Sequence, residues 1–268
     1  MKRITVYVNT KDRSTEIALL LQSLRTQQYK CWDLIILDES EQPIMNQYFI
    51  QLLVNQIKLE NHYVRYHHNT LRLGVCHARN MIISLDYFDN PLSLRLDDDV
   101  IIESDYLTKL SHVISKGYDI ASGVTPLIGR PTIKRHISHV MPIINRKKFD
   151  KFGNIISYGD DCGHKYIENK IIPANEFRSC ALMKKVVVDK IGYENNLSPT
   201  GFREEAFFSL RAQWQHKFKI GVHTTAMAYH FASPAGGCRS GDYGQRVQSD
   251  NSYFYKWVKK MYKKFGDL

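Results

Sequence analysis

The sequence predicts an α/β protein with a doubly wound, mainly parallel central sheet, flanking helices and an irregular insertion. Three observations support this fold class. The chain has 268 residues, 43% of them apolar, which is enough to bury one sizeable core. Short β-rich runs alternate with helical patterns through residues 1–125. The alternation breaks from Pro126 to about Asn175, where Gly, Pro, Asn and Asp cluster with basic residues.

Strand–helix units account for residues 1–125. After the first strand, apolar residues recur at the i, i+3, i+4 and i+7 spacing of one helix face: Ile17, Leu20, Leu21 and Leu24. Ser14 is suited to cap this helix. The predicted strands are Ile4–Val8, Leu34–Leu37, Val64–Tyr66, Leu92–Leu96 and Ile120–Val124. The other predicted helices are Pro43–Ile57, Val75–Leu85 and Ser104–Lys116.

The second half begins with the insertion, residues 126–173, and then becomes regular again. Two short strands are predicted near the insertion, at Ile155–Tyr158 and Tyr166–Ile172. The elements predicted after it are a strand Phe177–Met183, a helix Lys184–Ile191, a helix Glu204–Gln215 and a strand Ala226–Phe231. Residues 233–244 are rich in Gly and Ser, which favours a mobile, lid-like loop.

Three adjacent aspartates, Asp97, Asp98 and Asp99, directly follow the apolar strand LSLRL. Neighbouring carboxylates repel one another unless positive charge lies among them. A Mn²⁺ or Mg²⁺ ion would supply that charge, because both cations favour carboxylate and phosphate oxygens. A solvated acidic turn before Ser104 is the alternative. The triplet alone favours neither of these interpretations.

Further polar segments fall on the same predicted edge of the sheet as the triplet. VNTKDR closes the first strand, LDES closes the second, and LGVCHARN opens the third helix. In this order the segments resemble glycosyltransferase family 2, whose members have the GT-A fold. The resemblance covers residues 4–125 and 174–231. The matching positions are Thr10, Arg13, Asp38, Gly74, Arg79, Asn80 and the D-x-D triplet Asp97 to Asp99.

The resemblance implies an inverting transfer of sugar from a nucleoside-diphosphate sugar, with a UDP-sugar favoured, to an acceptor hydroxyl on a glycan, lipid-linked or polyanionic acceptor. It implies a donor-binding half, residues 1–125, and an acceptor-side half, residues 126–246. The donor is expected to contact Thr10, Arg13, Asp38, Gly74, Arg79, Asn80, Asp97 and Asp98. The metal is expected on Asp97 and chiefly on Asp99. Lys11, Asp12 and Glu39 depart from the family pattern around the nucleobase.

Inverting transfer needs a carboxylate that deprotonates the acceptor, and SPTGFREEAFFSLRAQ supplies two candidates. This segment resembles the acidic pair that the family places at a helix start. Glu205 matches the usual general base and Glu204 its acidic neighbour. The alternative is ordinary helix-start chemistry, since glutamates are common in a first turn.

His230, at the end of a predicted strand, stands where some relatives place a third metal ligand. A hydrogen-bonded structural histidine is the alternative. The loop 233–244, which contains Arg239, is a candidate lid over the donor diphosphate. A second polar cluster, with Asp160, Asp161, Cys162 and His164 in the insertion, fits no standard zinc spacing and is interpreted as a turn.

Positive charge is the chain's main compositional bias, with a formal net charge of +10 and a pI near 9.3. Such a balance favours polyanionic partners. Much of the excess lies in residues 247–268, predicted as a basic amphipathic helix. Trp257, Met261 and Phe265 recur there at helical spacing beside lysines. A solvated helix, peripheral membrane contact and nucleic-acid contact all remain open for this segment.

Other classes of protein are less well supported. No apolar run approaches the roughly 20 residues that cross a bilayer. The five scattered cysteines favour a reduced, cytoplasmic location, peripheral to the inner face of a membrane if the tail binds lipid. A nucleotidyltransferase that makes nucleotide sugars is one alternative function, but VNTKDRSTEI lacks the glycines of its usual phosphate loop. A non-catalytic nucleic-acid or lipid binding protein is the other.

Overall fold

A computed structural model describes residues 1–130, 134–135, 148–157, 165–166, 168–238 and 242–266. The strands are β1 (Ile4–Thr10), β2 (Trp32–Asp38), β3 (Val64–His68), β4 (Leu92–Asp97), β5 (Val100–Ile102), β6 (Ile120–Val124), β7 (Lys134–Arg135), β8 (Lys148–Phe149), β9 (Ile155–Ser157), β10 (Lys165–Tyr166), β11 (Ile171–Ala174), β12 (Ala181–Lys184) and β13 (Ile220–His230). The α-helices are α1 (Ser14–Arg25), α2 (Tyr48–Leu59), α3 (Val75–Ser84), α4 (Tyr106–Ser115), α5 (Lys185–Lys190), α6 (Glu204–His216) and α7 (Tyr243–Phe265). A 3-10 turn spans Ile44–Asn46.

One nine-stranded sheet organises the molecule. Its strand order is β11-β13-β6-β12-β4-β1-β2-β3, and β5 pairs with β13. Strands β4, β1, β2 and β3 run parallel, as do β6 and β13. The antiparallel members are β12, between β4 and β6, and β11 and β5, which both pair with β13. The mainly parallel α/β fold is therefore confirmed.

The alternation of side chains along each strand covers both faces of the sheet. In β1, Val6 and Val8 join the core formed with α1, α2 and α4, while Tyr7 between them faces the opposite side. Ile35 and Leu37 of β2 meet α3 on that opposite side. Strands buried on both faces are expected in a doubly wound sheet. Their carboxyl ends then form the open edge where such folds bind ligands.

A second core joins the late helices to the sheet. Phe207 and Trp214 of α6 pack against Phe254 and Trp257 of α7, with ring centroids 4.8 to 5.8 Å apart. Asp250 fixes the start of α7 to the chain before α6, because its carboxylate accepts hydrogen bonds from the backbone N–H groups of Ser198 and Phe202. The apolar face of α7 is thus used inside the protein.

The structure departs from the sequence-based elements mainly in the second half. Strand β5, directly after the aspartates, was not predicted. Strand β13 begins at Ile220, well before the predicted start at Ala226, while β12 occupies only the end of the predicted strand Phe177–Met183. Helix α7 begins at Tyr243 and therefore takes in the last residues of the predicted loop 233–244. Polar residues on these strands, such as His223 and Thr224, hide the β pattern although they are buried.

None of the helices in the described ranges combines the length and the apolar character that crossing a membrane requires.

Candidate active site

Strand register places the predicted motifs along one edge of the sheet. Thr10 at the end of β1 pairs with Asp38 at the end of β2, and Asn9 pairs with Asp97 at the end of β4. Parallel strands that end together present their last side chains to the same side. The three aspartates, Thr10 and Asp38 are neighbours for this reason, although up to 89 residues separate them in the sequence.

A cleft of about 780 Å³ opens above this edge. Its walls come from the ends of β1 and β4, the first turns of α3 and α6, the segment before α6, and the start of α7. The predicted site residues that line it are Thr10, Arg13, Gly74, Arg79, Asp97, Asp98, Asp99, Glu204, Glu205 and His230.

Asp98 is a buried carboxylate, as is the neighbouring Asp99. The Asp98 oxygens accept hydrogen bonds from the Thr10 hydroxyl at 2.8 Å and from the Arg13 guanidinium at 2.8 Å. Arg13 also lies 3.2 Å from Asp99 and donates to the backbone carbonyl of Ser233. Burial raises the pKa of Asp98 to about 6, and the Arg13 charge opposes that rise. Asp98 therefore ties together β1, β4 and the start of the loop after β13.

The other two aspartates meet His230 in the cleft, where Asp99 is buried and the other two residues are partly exposed. Asp97, Asp99 and His230 each offer one atom that could bind a metal, and these three atoms lie within 4.8 Å of one another. His230 Nε2 is 3.0 Å from Asp99 Oδ1, and the backbone N–H of Ser233 donates to Asp99 Oδ2. Burial alone would raise the pKa of Asp99, but the hydrogen bond and charge of His230 outweigh it and lower that pKa.

This cluster fits a divalent cation by the chemistry of its donors. Two carboxylates and one imidazole are ligands that Mn²⁺ accepts, and the imidazole favours Mn²⁺ over Mg²⁺. Three protein ligands also leave coordination positions for phosphate oxygens or water. Asp97, Asp99 and His230 are the residues that could hold the ion.

A second charged cluster joins α3, β4 and α6. The buried carboxylate of Glu204 lies 3.0 Å from both Arg79 and Arg95, and the same two arginines lie 3.2 and 3.4 Å from Asp97. Burial raises the pKa of Glu204 well above its ordinary value, and the Arg95 charge opposes this. Glu204 thus binds two arginines in the interior of the site, while the neighbouring Glu205 reaches outward.

Glu205 is the more accessible of the two glutamates, with 26% of its side chain exposed against 6% for Glu204. Its Oε1 atom accepts hydrogen bonds from Arg95 and from the backbone N–H of Ser179, both at 2.8 Å. These two donors fix the orientation of the carboxylate at the cleft wall. One oxygen, Oε2, receives neither of these bonds.

Two residues that were predicted to contact the nucleotide-sugar donor, Asp38 and Asn80, do not line the cleft. Asp38 is fully buried and accepts hydrogen bonds from the backbone of Ser40 and Ile44 and from the Tyr66 hydroxyl. Asn80 bonds to the backbone of Tyr193, on the far side of α3. In this arrangement Asp38 shapes the turn after β2 and Asn80 anchors α3. Their donor contacts stay predictions.

The next residue after Asp38, Glu39, does line the cleft. Its carboxylate accepts a hydrogen bond from the Asn69 amide at 3.0 Å, and burial raises its pKa. After β2, it is therefore Glu39, and not the predicted Asp38, that faces the cleft. Arg72 and Lys11 line the same cleft.

Gly74 joins the beginning of α3 to the segment before α6. Its φ of +102° is a conformation that side chains rarely adopt, and a Cβ atom there would lie 2.5 Å from the Pro199 Cα. The Val75 N–H donates to the Pro199 carbonyl in the same contact. This close approach is what brings Arg79 of α3 to Glu204 of α6.

The loop after β13 packs over the end of β1. Arg13 donates to the carbonyls of Ser233 and Ala235, and the Gly237 N–H donates to the Lys11 carbonyl. Gly237 and Cys238 line the cleft, and the role of this loop as a lid stays a prediction. Arg239, and the insertion residues Asp160, Asp161, Cys162 and His164, lie outside the described residues.

Arg95 is the site residue that the sequence analysis missed. It lies two positions before Asp97 and contacts Asp97, Glu204 and Glu205. The available signal was a single arginine inside the otherwise apolar strand LSLRL, where a buried charge requires partners. Arg178, Arg203 and Arg246, which line the cleft directly, gave no comparable signal because they lie in polar segments.

Comparison with known proteins now supplies the family. The model for glycosyl transferase family 2 matches residues 5–192, which is more than half of the chain. The chain belongs to glycosyltransferase family 2. The match covers the edge of the sheet that carries Thr10 and the three aspartates, and ends before Glu204. No curated protein sequence matches the chain.

Solved glycosyltransferase structures share the fold at low sequence identity. GalNAc-T7 with UDP, GalNAc and Mn²⁺ matches with a TM-score of 0.67 at 13% identity, over 99% of this chain and 54% of that one. S. aureus TarS 1-349 with UDP-GlcNAc matches with a TM-score of 0.61 at 12% identity, over 98% and 71%. The mannosyltransferase PcManGT from Pyrobaculum calidifontis, with GDP-Man and Mn²⁺, matches with a TM-score of 0.60 at 12% identity, over 100% and 76%.

These structural matches show that the chain has the GT-A fold. The chain spans 60% of another TarS 1-349 structure and 37% of a longer TarS structure. It is therefore shorter than the structures that it resembles.

The contact between Gly74 and Pro199 gives a test of how the site is held together. We expect Gly74→Ala to lower the free energy of unfolding by about 2–4 kcal/mol, combining backbone strain with a steric clash. Gly117→Ala is the matched control, since its φ is +93° but no atom lies within 4 Å of the added Cβ. Urea unfolding would measure both variants. Equal losses in the two variants would show that the Pro199 contact contributes nothing.

Proposed function

We propose that this family 2 enzyme is a metal-dependent, inverting glycosyltransferase that uses a UDP-sugar. The observation that carries the proposal is the meeting of Asp97, Asp99 and His230 within 4.8 Å, in the same cleft as Glu205. A divalent cation site and a partly exposed carboxylate are what transfer from a sugar diphosphate requires. The complexes of structural neighbours with UDP-GlcNAc, and with UDP and Mn²⁺, support this choice of donor and metal.

The donor would lie along the edge of the sheet. Its diphosphate would meet the cluster of Asp97, Asp99 and His230. These residues would hold Mn²⁺ or Mg²⁺, and the ion would supply Lewis-acid stabilisation of the departing diphosphate. Asp97 would face the ribose or sugar. Thr10 and Arg13 would support this arrangement indirectly, through their hydrogen bonds to Asp98.

Glu205 is the proposed general base. The acceptor hydroxyl gives its proton to the Glu205 carboxylate as its oxygen forms a bond to the anomeric carbon, and the bond from that carbon to the diphosphate breaks. Attack opposite the leaving group inverts the anomeric centre. Arg95 and the Ser179 N–H hold Oε1 of this carboxylate, so Oε2 would take the proton. Glu204 would position Arg79 and Arg95 for this step.

Arg79 would meet the negative charge that develops on the leaving diphosphate. It lies beside Asp97 at 3.2 Å and lines the cleft, so its guanidinium is within reach of a donor bound there. We further propose a reduced, cytoplasmic location, since Cys31, Cys76 and Cys180 are free thiols.

The metal role can be tested by binding alone. Asp99→Asn should weaken Mn²⁺ binding about 10-fold or more, because a charged ligand is lost from a three-residue site. It should also abolish the additional thermal stabilisation that Mn²⁺ gives with UDP-GlcNAc. Asp89→Asn, at an exposed position outside the cleft, is the control. Unchanged Mn²⁺ affinity in Asp99→Asn, by calorimetry, would count against the site.

The base can be tested by separating chemistry from binding. Glu205→Gln should lower kcat about 10²- to 10⁴-fold, since general-base catalysis is lost. Donor affinity with Mn²⁺ should stay close to that of the parent protein. Glu176→Gln removes a carboxylate from the same cleft and should keep most of the activity. A kcat for Glu205→Gln that matches the Glu176→Gln value would rule Glu205 out as the base.

A further inference from the structure

Four lysines form one outward face of α7, referred to below as the lysine face. They are Lys256, Lys259, Lys260 and Lys263. Their i, i+3, i+4 and i+7 spacing places them on one side of the helix over two turns. All four side chains are exposed. The face therefore presents a dense row of positive charge to solvent.

The opposite side of α7 is buried in the protein. Phe254, Val258 and Met261 belong to the core with α6, and Trp257 packs against the rings of Phe207 and Trp214. The apolar residues that suggested membrane insertion are thus occupied within the fold. The exposed side of α7 therefore offers a partner positive charge but no apolar surface that could insert into a membrane. Helices that bind membrane interfaces usually have both.

In the part of the chain that the structure describes, little negative charge balances the lysine face. The chain contains no acidic residue from Asn251 to Gly266. Among the described residues, no carboxylate lies within salt-bridge distance of these four lysines. Asp150 is within electrostatic reach of Lys259, but its oxygens already accept hydrogen bonds from Asn154 and from the Phe152 N–H. An external anion would supply the missing charge.

The same helix leads into the cleft. Tyr243 and Arg246, in its first turn, line the cleft directly. Arg203, another lining residue two positions before Glu205, donates to the Asn251 side chain on α7 at 2.9 Å. From Arg246 to Lys263 the helix extends about 26 Å. Positive charge therefore lies at the two ends of α7, with Arg246 at the cleft and the first of the four lysines, Lys256, about 15 Å further along the helix.

We propose that the lysine face binds a polyanionic acceptor chain, one whose repeating unit carries a phosphate or another anionic group, and leads that chain into the cleft. This inference rests on the proposed function. Regular anionic chains suit a linear row of lysines, because each repeat can meet one charge and release its counterions. A flat anionic bilayer is the competing partner, and the packing of Met261 and Trp257 against the core of the protein argues against it.

Binding of long-chain polyphosphate tests the proposal without knowledge of the natural acceptor. Replacing all four lysines of the face by Gln should weaken binding about 10-fold or more at low salt, and should reduce the slope of log K against log salt by about 3. The matched control replaces Lys2, Lys58, Lys116 and Lys190 by Gln, which removes the same charge from scattered exposed positions. Fluorescence anisotropy with labelled polyphosphate would measure each affinity.

Two further arms test the direction of the chain and the class of partner. Arg246→Gln should weaken binding of long-chain polyphosphate about three-fold while leaving tripolyphosphate unaffected, because only a long chain spans the helix. Phosphatidylserine vesicles should compete poorly with the long chain. Equal losses in the lysine-face and scattered variants would overturn the proposal. So would tripolyphosphate binding as tightly as the long chain, or vesicles binding more tightly than polyphosphate.

The donor assay keeps this proposal separate from the proposed function. Thermal stabilisation by UDP-GlcNAc with Mn²⁺ should be the same in the parent protein and the lysine-face variant, since the lysines lie outside the cleft. If no nucleotide sugar stabilises even the parent protein, the proposed function fails, whatever polyphosphate does. If nucleotide sugars bind but polyphosphate binds the lysine-face and scattered variants equally well, only the proposed acceptor surface is ruled out.

Discussion

Charge balance in the cleft is the constraint on which the rest of the site depends. Five carboxylates, from Asp97 to Asp99 with Glu204 and Glu205, meet three guanidinium groups within salt-bridge distance. An unpaired buried carboxylate is costly, so each deep one has an arginine partner. Five carboxylates against three guanidinium groups leave an excess of two negative charges, and Asp97 and Asp99 meet His230 in the cleft. That is where a divalent cation and an anionic donor would restore balance.

The pairing separates the buried residues that hold the arginines from the residues that we propose to react. Asp98 and Glu204 are buried and hold three arginines. Arg79 and Arg95 join α3 and β4 to α6, and Arg13 joins the end of β1 to the loop after β13. Asp97, Glu205 and His230 are partly exposed and face the cleft. Adjacent residues thus take different roles because alternate side chains at a strand or helix end point in different directions. The buried ion pairs supply the rigidity that a metal site needs.

Much of this arrangement could be predicted from the sequence, because it follows from the periodicity of local segments. The spacing of Ile17 to Leu24 and the β-rich runs predicted the first strand–helix units of the sheet. Because the strands were predicted to be parallel, Thr10 and the aspartates were expected at one edge. The remainder depended on long-range contacts. The partners of Asp38 and Asn80, the Gly74–Pro199 approach and the role of Arg95 all join segments that local patterns treat separately. The length of strand β13 was underestimated, because its buried polar residues give a sequence pattern that resembles a loop.

The most direct test is a crystal soaked with Mn²⁺ and UDP, with anomalous scattering measured at the manganese edge. The central claim is that the edge of the sheet forms a metal site shared with the donor diphosphate. It predicts one strong manganese peak bonded to Asp99 and His230, with diphosphate oxygens in its coordination shell and Asp97 beside them. A UDP molecule bound in the cleft without manganese at these residues, or manganese bound elsewhere in the chain, would contradict the account.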